Sequence, residues 1–267
     1  MKESATRLWS GSVKARDGLT MKVVDYDGVA STYDRRYVRN RYDGILACLH
    51  TFIHAESGTA VAEVGCGTGH WLADLSQDWL RKVAGLDLSA GMLEQARAAA
   101  PTALLVRGSA ERLPWRDACF DRIFCVNALH HFKDPESFIF ECRRVLRPGG
   151  GLLTIGLDPH TGRDRWWVYD FFPAALLADR QRYPSTSKIR EWLAAAGFRQ
   201  PATQVAQHIL AEKPFEAALT DGLVDRRATS QLLVISDADY ESGIRRLAAE
   251  RPVLRSDVLL YATTAWT

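Results

Sequence analysis

From Thr59 to Asp158 the chain alternates between two hydrophobic patterns. Short, nearly continuous apolar runs, "TAVAEVGC", "KVAGLDL", "ALLVRGSA", "CFDRIFCVNAL" and "GGLLTIGLD", read as strands. Between them lie "GHWLADLSQDW", "SAGMLEQARAAA" and "PESFIFECRRVL", whose apolar positions recur at helical spacing; Ser89 stands where a helix N-cap belongs. Strands and helices alternating at this size predict right-handed βαβ units and a parallel sheet, with ligands at the C-terminal ends of the strands.

The rhythm is different on both sides. Residues 1–27 are polar and rich in Gly, Ser and Lys and read as a loosely ordered arm. Residues 28–56 have broadly helical spacing and predict one or two helices ahead of the main fold. Between about 159 and 184, "RDRWWVYDFFPAALLADRQRYP" interrupts the alternation with a dense aromatic cluster and two prolines. A helix over "TSKIREWLAAAGF" resumes and closes at Gly197, a C′ glycine. A strand near "ATQVAQHIL", a helix over "DADYESGIRRLAAE" and a last strand, "DVLLYATTAW", complete the chain. The expected organisation is therefore an arm, 1–27, and a single domain, 28–267.

Composition adds few constraints. The 267 residues suit one generous domain, and a 47% hydrophobic, 25% charged content is that of an ordinary globular protein. A formal net charge of +2 is too mild to call for a nucleic-acid or membrane partner. The five cysteines include no C-x-x-C pair, which argues against a disulfide framework or zinc site and for reduced thiols in a cytoplasmic protein. The N-terminus has no apolar stretch of the signal-peptide kind, and no run reaches a membrane span. The histidines at 50, 54, 160 and 208 show no metal-ligand spacing, so no metal is expected.

The candidate chemistry begins at "VAEVGCGTGHW". Its glycines follow G-x-G-x-G, with His70 where the dinucleotide fingerprint places its third glycine. Gly65 and Gly67 allow a tight turn with bare backbone against a ligand, and the helix that follows offers free N–H groups that suit a carboxylate as well as a phosphate. Asp87, at the end of the second strand, is placed to accept from both hydroxyls of a ribose. The combination suits a nucleoside without an obligatory pyrophosphate.

In four blocks, "EVGCGTGHW", "GLDLSAGMLEQAR", "GSAERLPWRDACFDRIFCVNALHHFKDP" and "RRVLRPGGGLLTIG", the chain resembles the class I S-adenosylmethionine-dependent methyltransferases, nearest to the type 11 branch that holds the ubiquinone/menaquinone C-methyltransferases. The resemblance implies a Rossmann-like, doubly wound seven-stranded α/β sheet, mostly parallel with the last strand antiparallel and helices on both faces. It implies S-adenosyl-L-methionine as cofactor, with Gly65, Cys66, Gly67 and Gly69 around the methionine part and Glu63 positioning that loop. Asp87 would hold the ribose, Leu88 and Met92 the adenine face, and Ser109 and Ala110 its edge. Asn127 would lie beside the methionine or the transferred methyl, and Tyr33 would close over the cofactor. Many relatives have Asp where this chain has Ser109, a weaker acceptor than a carboxylate.

The expected reaction is methyl transfer to O, N or C of a small molecule, in a monomer or homodimer. RNA- or protein-directed transfer, or cofactor binding without catalysis, are the alternatives. "NALH" stands where base-amino methyltransferases have an N-P-P-Y-type tetrapeptide, and the cofactor loop is intact, as a catalyst requires. His130 and His131 are general-base candidates that could equally be structural. Met92 and Leu88 could be plain core residues. The aromatic insertion is either a core plug or a substrate-facing lid of Trp166, Trp167, Tyr169, Phe171 and Phe172, which would suit a largely apolar or aromatic acceptor.

Overall fold

The computed structural model describes residues 12–14, 20–22, 26–27, 42–53, 58–75 and 82–267. A short antiparallel hairpin, β1 (Ser12–Lys14) and β2 (Thr20–Lys22), lies within the segment read as an arm. Helix α1 (Asp43–Ile53) precedes the main sheet. The alternation follows as β3 (Ala60–Val64), α2 (His70–Leu75), β4 (Lys82–Asp87), α3 (Ala90–Ala99), β5 (Leu104–Arg107), β6 (Phe120–Val126), α4 (Pro135–Val145) and β7 (Leu146–Leu157).

β5, β4, β3, β6 and β7 are parallel neighbours in that order. β10 (Val253–Trp266) runs antiparallel to β7 and pairs along its length with β9 (Arg199–Pro214). The last strand is antiparallel, as the resemblance implies. Among the described residues the sheet has eight strands and not seven. The eighth, β8 (Arg165–Trp166), is a two-residue ladder against Ser256 and Asp257, formed because β10 extends beyond the end of β7.

The strands read as continuous apolar runs because both of their faces are covered. Ala60, Ala62, Val64, Ile123 and Cys125 meet Phe138, Ile139 and Cys142 of α4 and Ile189 and Leu193 of α7 (Thr186–Ala195). Val61, Phe124 and Val126, on the opposite face, meet Ile45 and Leu49 of α1, Trp71 and Leu72 of α2, and Leu93 of α3. A third core stands apart. It joins α5 (Trp167–Phe171), α6 (Pro173–Arg182), α8 (Phe215–Thr220), α9 (Ser230–Val234) and α10 (Asp237–Glu250) to Leu254 at the start of β10. Strand order reverses between β3 and β6, so a crevice opens at their C-terminal ends.

Candidate functional site

Everything that turns the chain at the end of β3 is backbone. Gly65, Gly67 and Gly69 have φ of 75°, 52° and 79°, in the left-handed region that L side chains avoid. Space decides Gly65 as well, since a Cβ there would lie 2.4 Å from Ala128 Cβ. The N–H groups of Gly65 and Cys66 donate to Leu86 O at 2.8 and 3.0 Å, which ties the loop to β4. The Asp87 carboxylate completes the stitch. Oδ2 accepts from Gly67 N at 2.8 Å and Oδ1 from Ser89 N at 2.9 Å. Each oxygen keeps a further lone pair for a ligand hydroxyl. Ser89 caps α3 as its position predicts, its Oγ accepting from Met92 N at 3.0 Å.

Glu63 is 1% exposed, and its Oε2 has no hydrogen-bond partner. Burial pushes its carboxyl far above the usual range, and the nearby charge of Asp87 adds to the rise. Burial likewise raises Asp87, against the N–H bonds from Ser89 and Gly67, and drives the buried Cys66 thiol up. The loop is thus backed by an under-satisfied carboxyl group, which is costly unless a ligand completes it.

The other expected cofactor positions gather beside Asp87. Gly108 N donates to Asp87 O at 3.0 Å, so Ser109 and Ala110 follow directly. Ser109 Oγ hydrogen-bonds Glu111 Oε2, whose Oε1 accepts from Lys133 N at 2.7 Å. Glu111 was not singled out from the sequence, though its carboxylate sits against the Ser109 hydroxyl, the position at which the resemblance leads one to expect Asp. Leu88 is 64% exposed, whereas Met92 is 2% exposed and packed against Tyr26 and Leu233. Asn127 ends β6 at φ 50°, a conformation Asn tolerates, with its N–H donated to Ile155 O at 2.7 Å. Tyr33 lies outside the described residues. Tyr26 and Asp27, at the end of the expected arm, do reach this region. Asp27 accepts from Ser89 Oγ and from Gly91 N, and the Tyr26 hydroxyl bonds His131 Nε2.

A cavity of about 250 Å³ opens past Asn127 at the ends of β6 and β7. Trp166, Trp167, Leu223, Leu254, Val258 and Leu260 give it an apolar wall, and His130, His131, Tyr183 and Gln231 a polar one. Two of the five expected lid aromatics therefore face it. Tyr169, Phe171 and Phe172 do not. They fill the third core, with Phe172 stacked on Tyr240 at 5.9 Å and Tyr169 donating its hydroxyl to Asp179 at 2.8 Å. The five rings come from one short stretch of chain, 166–172, and a helix as short as α5 cannot turn every ring to one side. Asp179 is wholly buried and paired with Arg182 at 2.5 Å, while Arg182 Nε and Nη1 find no partner. His130 is buried, its ring stacked on Tyr183 at 3.8 Å. Tyr183 and Gln231 carried no signal in the sequence, since nothing in "QRYPST" or "ATSQLL" distinguishes them from loop and cap residues.

The comparisons agree with this geometry. A family model described as a methyltransferase domain matches residues 62–154, which run from β3 into β7. A protein of Mycolicibacterium smegmatis named "Probable S-adenosylmethionine-dependent methyltransferase" is 39% identical over 209 residues, covering 76% of this chain and 74% of its own. A demethylmenaquinone methyltransferase of Staphylococcus epidermidis is 29% identical over 178 residues, covering 64% of this chain and 72% of its own. Among solved structures, the YcgJ protein of Bacillus subtilis superposes with a TM-score of 0.62 at 19% identity, covering 84% of this chain and 98% of that one, and so shares the fold. With a 39% identical S-adenosylmethionine-dependent methyltransferase matched along about three quarters of both chains, the chain belongs to the S-adenosylmethionine-dependent methyltransferases and is an enzyme that uses S-adenosylmethionine.

Proposed function

We propose that this enzyme methylates an oxygen, nitrogen or carbon atom of a small, largely apolar or aromatic molecule seated in the cavity beyond Asn127. The observation that carries the reading is the cavity itself. Asn127 lines it, and so do both the aromatic side chains Trp166 and Trp167 and the polar groups of His130, Tyr183 and Gln231. The demethylmenaquinone methyltransferase among its relatives is named for a ring-bearing apolar acceptor, which agrees in kind.

The residues fit the cofactor. Gly65, Gly67 and Gly69 leave room for its methionine part, and the unpartnered Glu63 Oε2 stands behind that loop. Asp87 has lone pairs for the ribose hydroxyls, and exposed Leu88 offers a platform for the adenine, with Ser109, Ala110 and Glu111 at its edge. Bound there, S-adenosylmethionine supplies a methyl group on a positively charged sulfur. The chain's own work is alignment: the acceptor is held by rings on one side and by hydrogen bonds on the other, with its attacking atom in line with the methyl. Enclosure by Trp166 and Trp167 keeps water from that line. Among the described residues no helix is long and apolar enough to cross a membrane. The proposal adds a cytoplasmic site of action, a monomeric or homodimeric enzyme, and neither nucleic acid nor membrane as partner.

The test combines calorimetry with S-adenosylhomocysteine and transfer of labelled methyl from S-adenosylmethionine into a cell extract of small molecules. Saturable binding, absent with NAD, and label in a low-mass apolar product are expected. Label found only in RNA or protein would overturn the acceptor class.

A further inference from the structure

The polar wall of the cavity contains a chain of hydrogen bonds whose direction can be worked out, and which bears on the acceptor proposed above. Tyr183 caps α6, and its phenolic oxygen lies 2.9 Å from His130 Nε2 and 3.1 Å from Gln231 Nε2. Gln231 Oε1 accepts from Thr229 Oγ1 at 2.6 Å, so the amide nitrogen is the end that faces Tyr183, and it donates. With Gln231 donating, the arrangement that uses every donor and acceptor of the chain sends the Tyr183 hydrogen to His130 Nε2. In that arrangement Nε2 carries no hydrogen and His130 is the neutral tautomer with its proton on Nδ1. Tyr183, His130 and Gln231 all line the cavity, together with Asn127.

We propose that Tyr183 is a catalytic residue that takes the proton of a phenolic or enolic hydroxyl on the acceptor while passing its own proton to His130. This deepens the reading under Proposed function and rests on it. The acceptor O–H bond breaks and its proton forms a new O–H bond on Tyr183. The former Tyr183 O–H bond breaks, and that proton bonds His130 Nε2, which leaves an imidazolium. The electron pair released into the acceptor's conjugated oxygen–carbon system forms the new bond to methyl. The pair of the broken carbon–sulfur bond stays on sulfur, which becomes neutral, so the positive charge has moved from sulfur to His130. Water takes the proton from His130 after the product leaves.

The surroundings favour passage of a proton through Tyr183 over its storage there. Burial pushes the Tyr183 hydroxyl above its ordinary range, the charge of Asp179 pushes it further, and the Arg182 guanidinium, 5.5 Å from the ring centroid, pulls it back. A free tyrosinate therefore does not accumulate, and the two transfers are coupled. The titratable and charged groups around the pair are His130 after β6 with His131 against its ring at 3.7 Å, Asp179 and Arg182 of α6, and Tyr169 of α5, which acts on Asp179 and on Tyr183. Ser230 and Gln231 of α9 add neutral donors.

The experiment uses the full chain with S-adenosylmethionine and a panel of 1-naphthol, 8-hydroxyquinoline, their methyl ethers and 1-naphthylamine. Turnover is expected for the free hydroxyls and not for the ethers or the amine. Y183F keeps the ring stack and loses the relay. It should lower kcat by about 10²-fold with little change in KM. It should also alter the dependence of the rate on pH. H130Q should match that loss without adding to it in the double variant. Independently of turnover, nitrogen-labelled histidine NMR of the wild-type protein should show His130 Nε2 without hydrogen. Hydrogen on Nε2, unchanged kcat and pH profile in Y183F, or equal turnover of the ethers or amine would each overturn the relay alone. No methyl transfer to any small molecule, in the panel or the extract, would remove the reading beneath it and the relay too.

Discussion

Between Ala60 and Ser89 the groups expected to face the cofactor are fixed largely by backbone: three glycines with positive φ, a loop whose N–H groups bond Leu86 O, and one carboxylate that staples Gly67 to Ser89. The groups proposed to face the acceptor are side chains drawn from farther along the chain: Asn127 and His130 after β6, Trp166 and Trp167, Tyr183, Gln231, Leu254 and Val258. Behind the first stand the two cores of the sheet, and behind the second a separate core of short helices. A backbone-built site keeps its shape under most side-chain changes. A site built from packed side chains can be recast by substituting a few of them, at little cost to the fold. The division lets one scaffold keep its methyl donor while the acceptor side is free to differ.

The sharpest way to break this comparison is to separate the aromatic residues of the acceptor half. Phe172 is 1% exposed and would clash with any Cβ at Gly243, to within 2.2 Å. F172A should cost about 3–5 kcal/mol of stability, the usual range for emptying a buried ring. Cofactor affinity of the folded fraction should not change. W166A, which trims the cavity wall, should cost less and raise the acceptor KM. Urea denaturation and steady-state kinetics of both variants decide. An F172A protein of normal stability with a raised acceptor KM would return that residue to the lid.

The second test is aimed at the cofactor half. D87A removes the acceptor for two ribose hydroxyls and for the N–H groups of Gly67 and Ser89. Affinity for S-adenosylhomocysteine should fall by about 1.5–3 kcal/mol, the range for hydrogen bonds to a charged group. The soluble variant should remain folded, since Asp87 lies at a strand end. Unchanged affinity by calorimetry would remove Asp87 from the site.

The two halves were unequally legible for the same physical reason. A strand followed by G-x-G-x-G specifies its own turn, so the loop, the Ser89 cap, the Gly197 terminator at φ 82° and the Asp237–Glu250 helix could be read from adjacent residues. Tyr183 and Gln231 meet across 48 positions, and His130 and Tyr183 across 53, so only packing brings them together. Aromatic density in "RWWVYDFF" signalled burial, but rings are buried alike against a ligand or against a core, and composition does not distinguish the two. Asp27 looked like the end of a polar arm because its partners, Ser89 and Gly91, are more than sixty residues away.

A third test reads the electrostatics of the glycine loop. Glu63 is held well above its ordinary 4.5 by burial and then by Asp87. Its native form keeps a proton that the unfolded chain has already lost. Its contribution to stability is therefore complete below the unfolded value and fades as pH rises through the folded one. E63Q keeps the neutral shape and cannot lose a proton. In the window above pH 4.5 the wild-type protein should lose stability with pH faster than E63Q, by at most about 1.4 kcal/mol per pH unit. Denaturation midpoints of the two proteins, measured without ligand, give the difference. Parallel curves would mean that Glu63 is ionised in the native state.

The smallest expected effect is also the most selective. Leu88, just past the end of β4, and Leu104, at the start of the neighbouring β5, are exposed to the same degree, 64% and 63%. Truncating an exposed leucine normally moves stability by no more than about 0.5 kcal/mol, so neither L88A nor L104A should unfold the protein. They differ in what covers them when ligand is bound. Leu88 follows Asp87, and its backbone oxygen is already held by Arg107 Nε at 3.0 Å, which fixes the position of the side chain beside the ribose site. An adenine ring laid on it would bury apolar area worth roughly 1 kcal/mol, about a fivefold change in affinity. Calorimetry with S-adenosylhomocysteine should therefore show L88A weakened about fivefold and L104A unchanged. Equal affinities in the two variants would make Leu88 an ordinary surface leucine. The adenine would then have to rest on Ala110 and Glu111, and part of the cofactor half would be built from side chains after all.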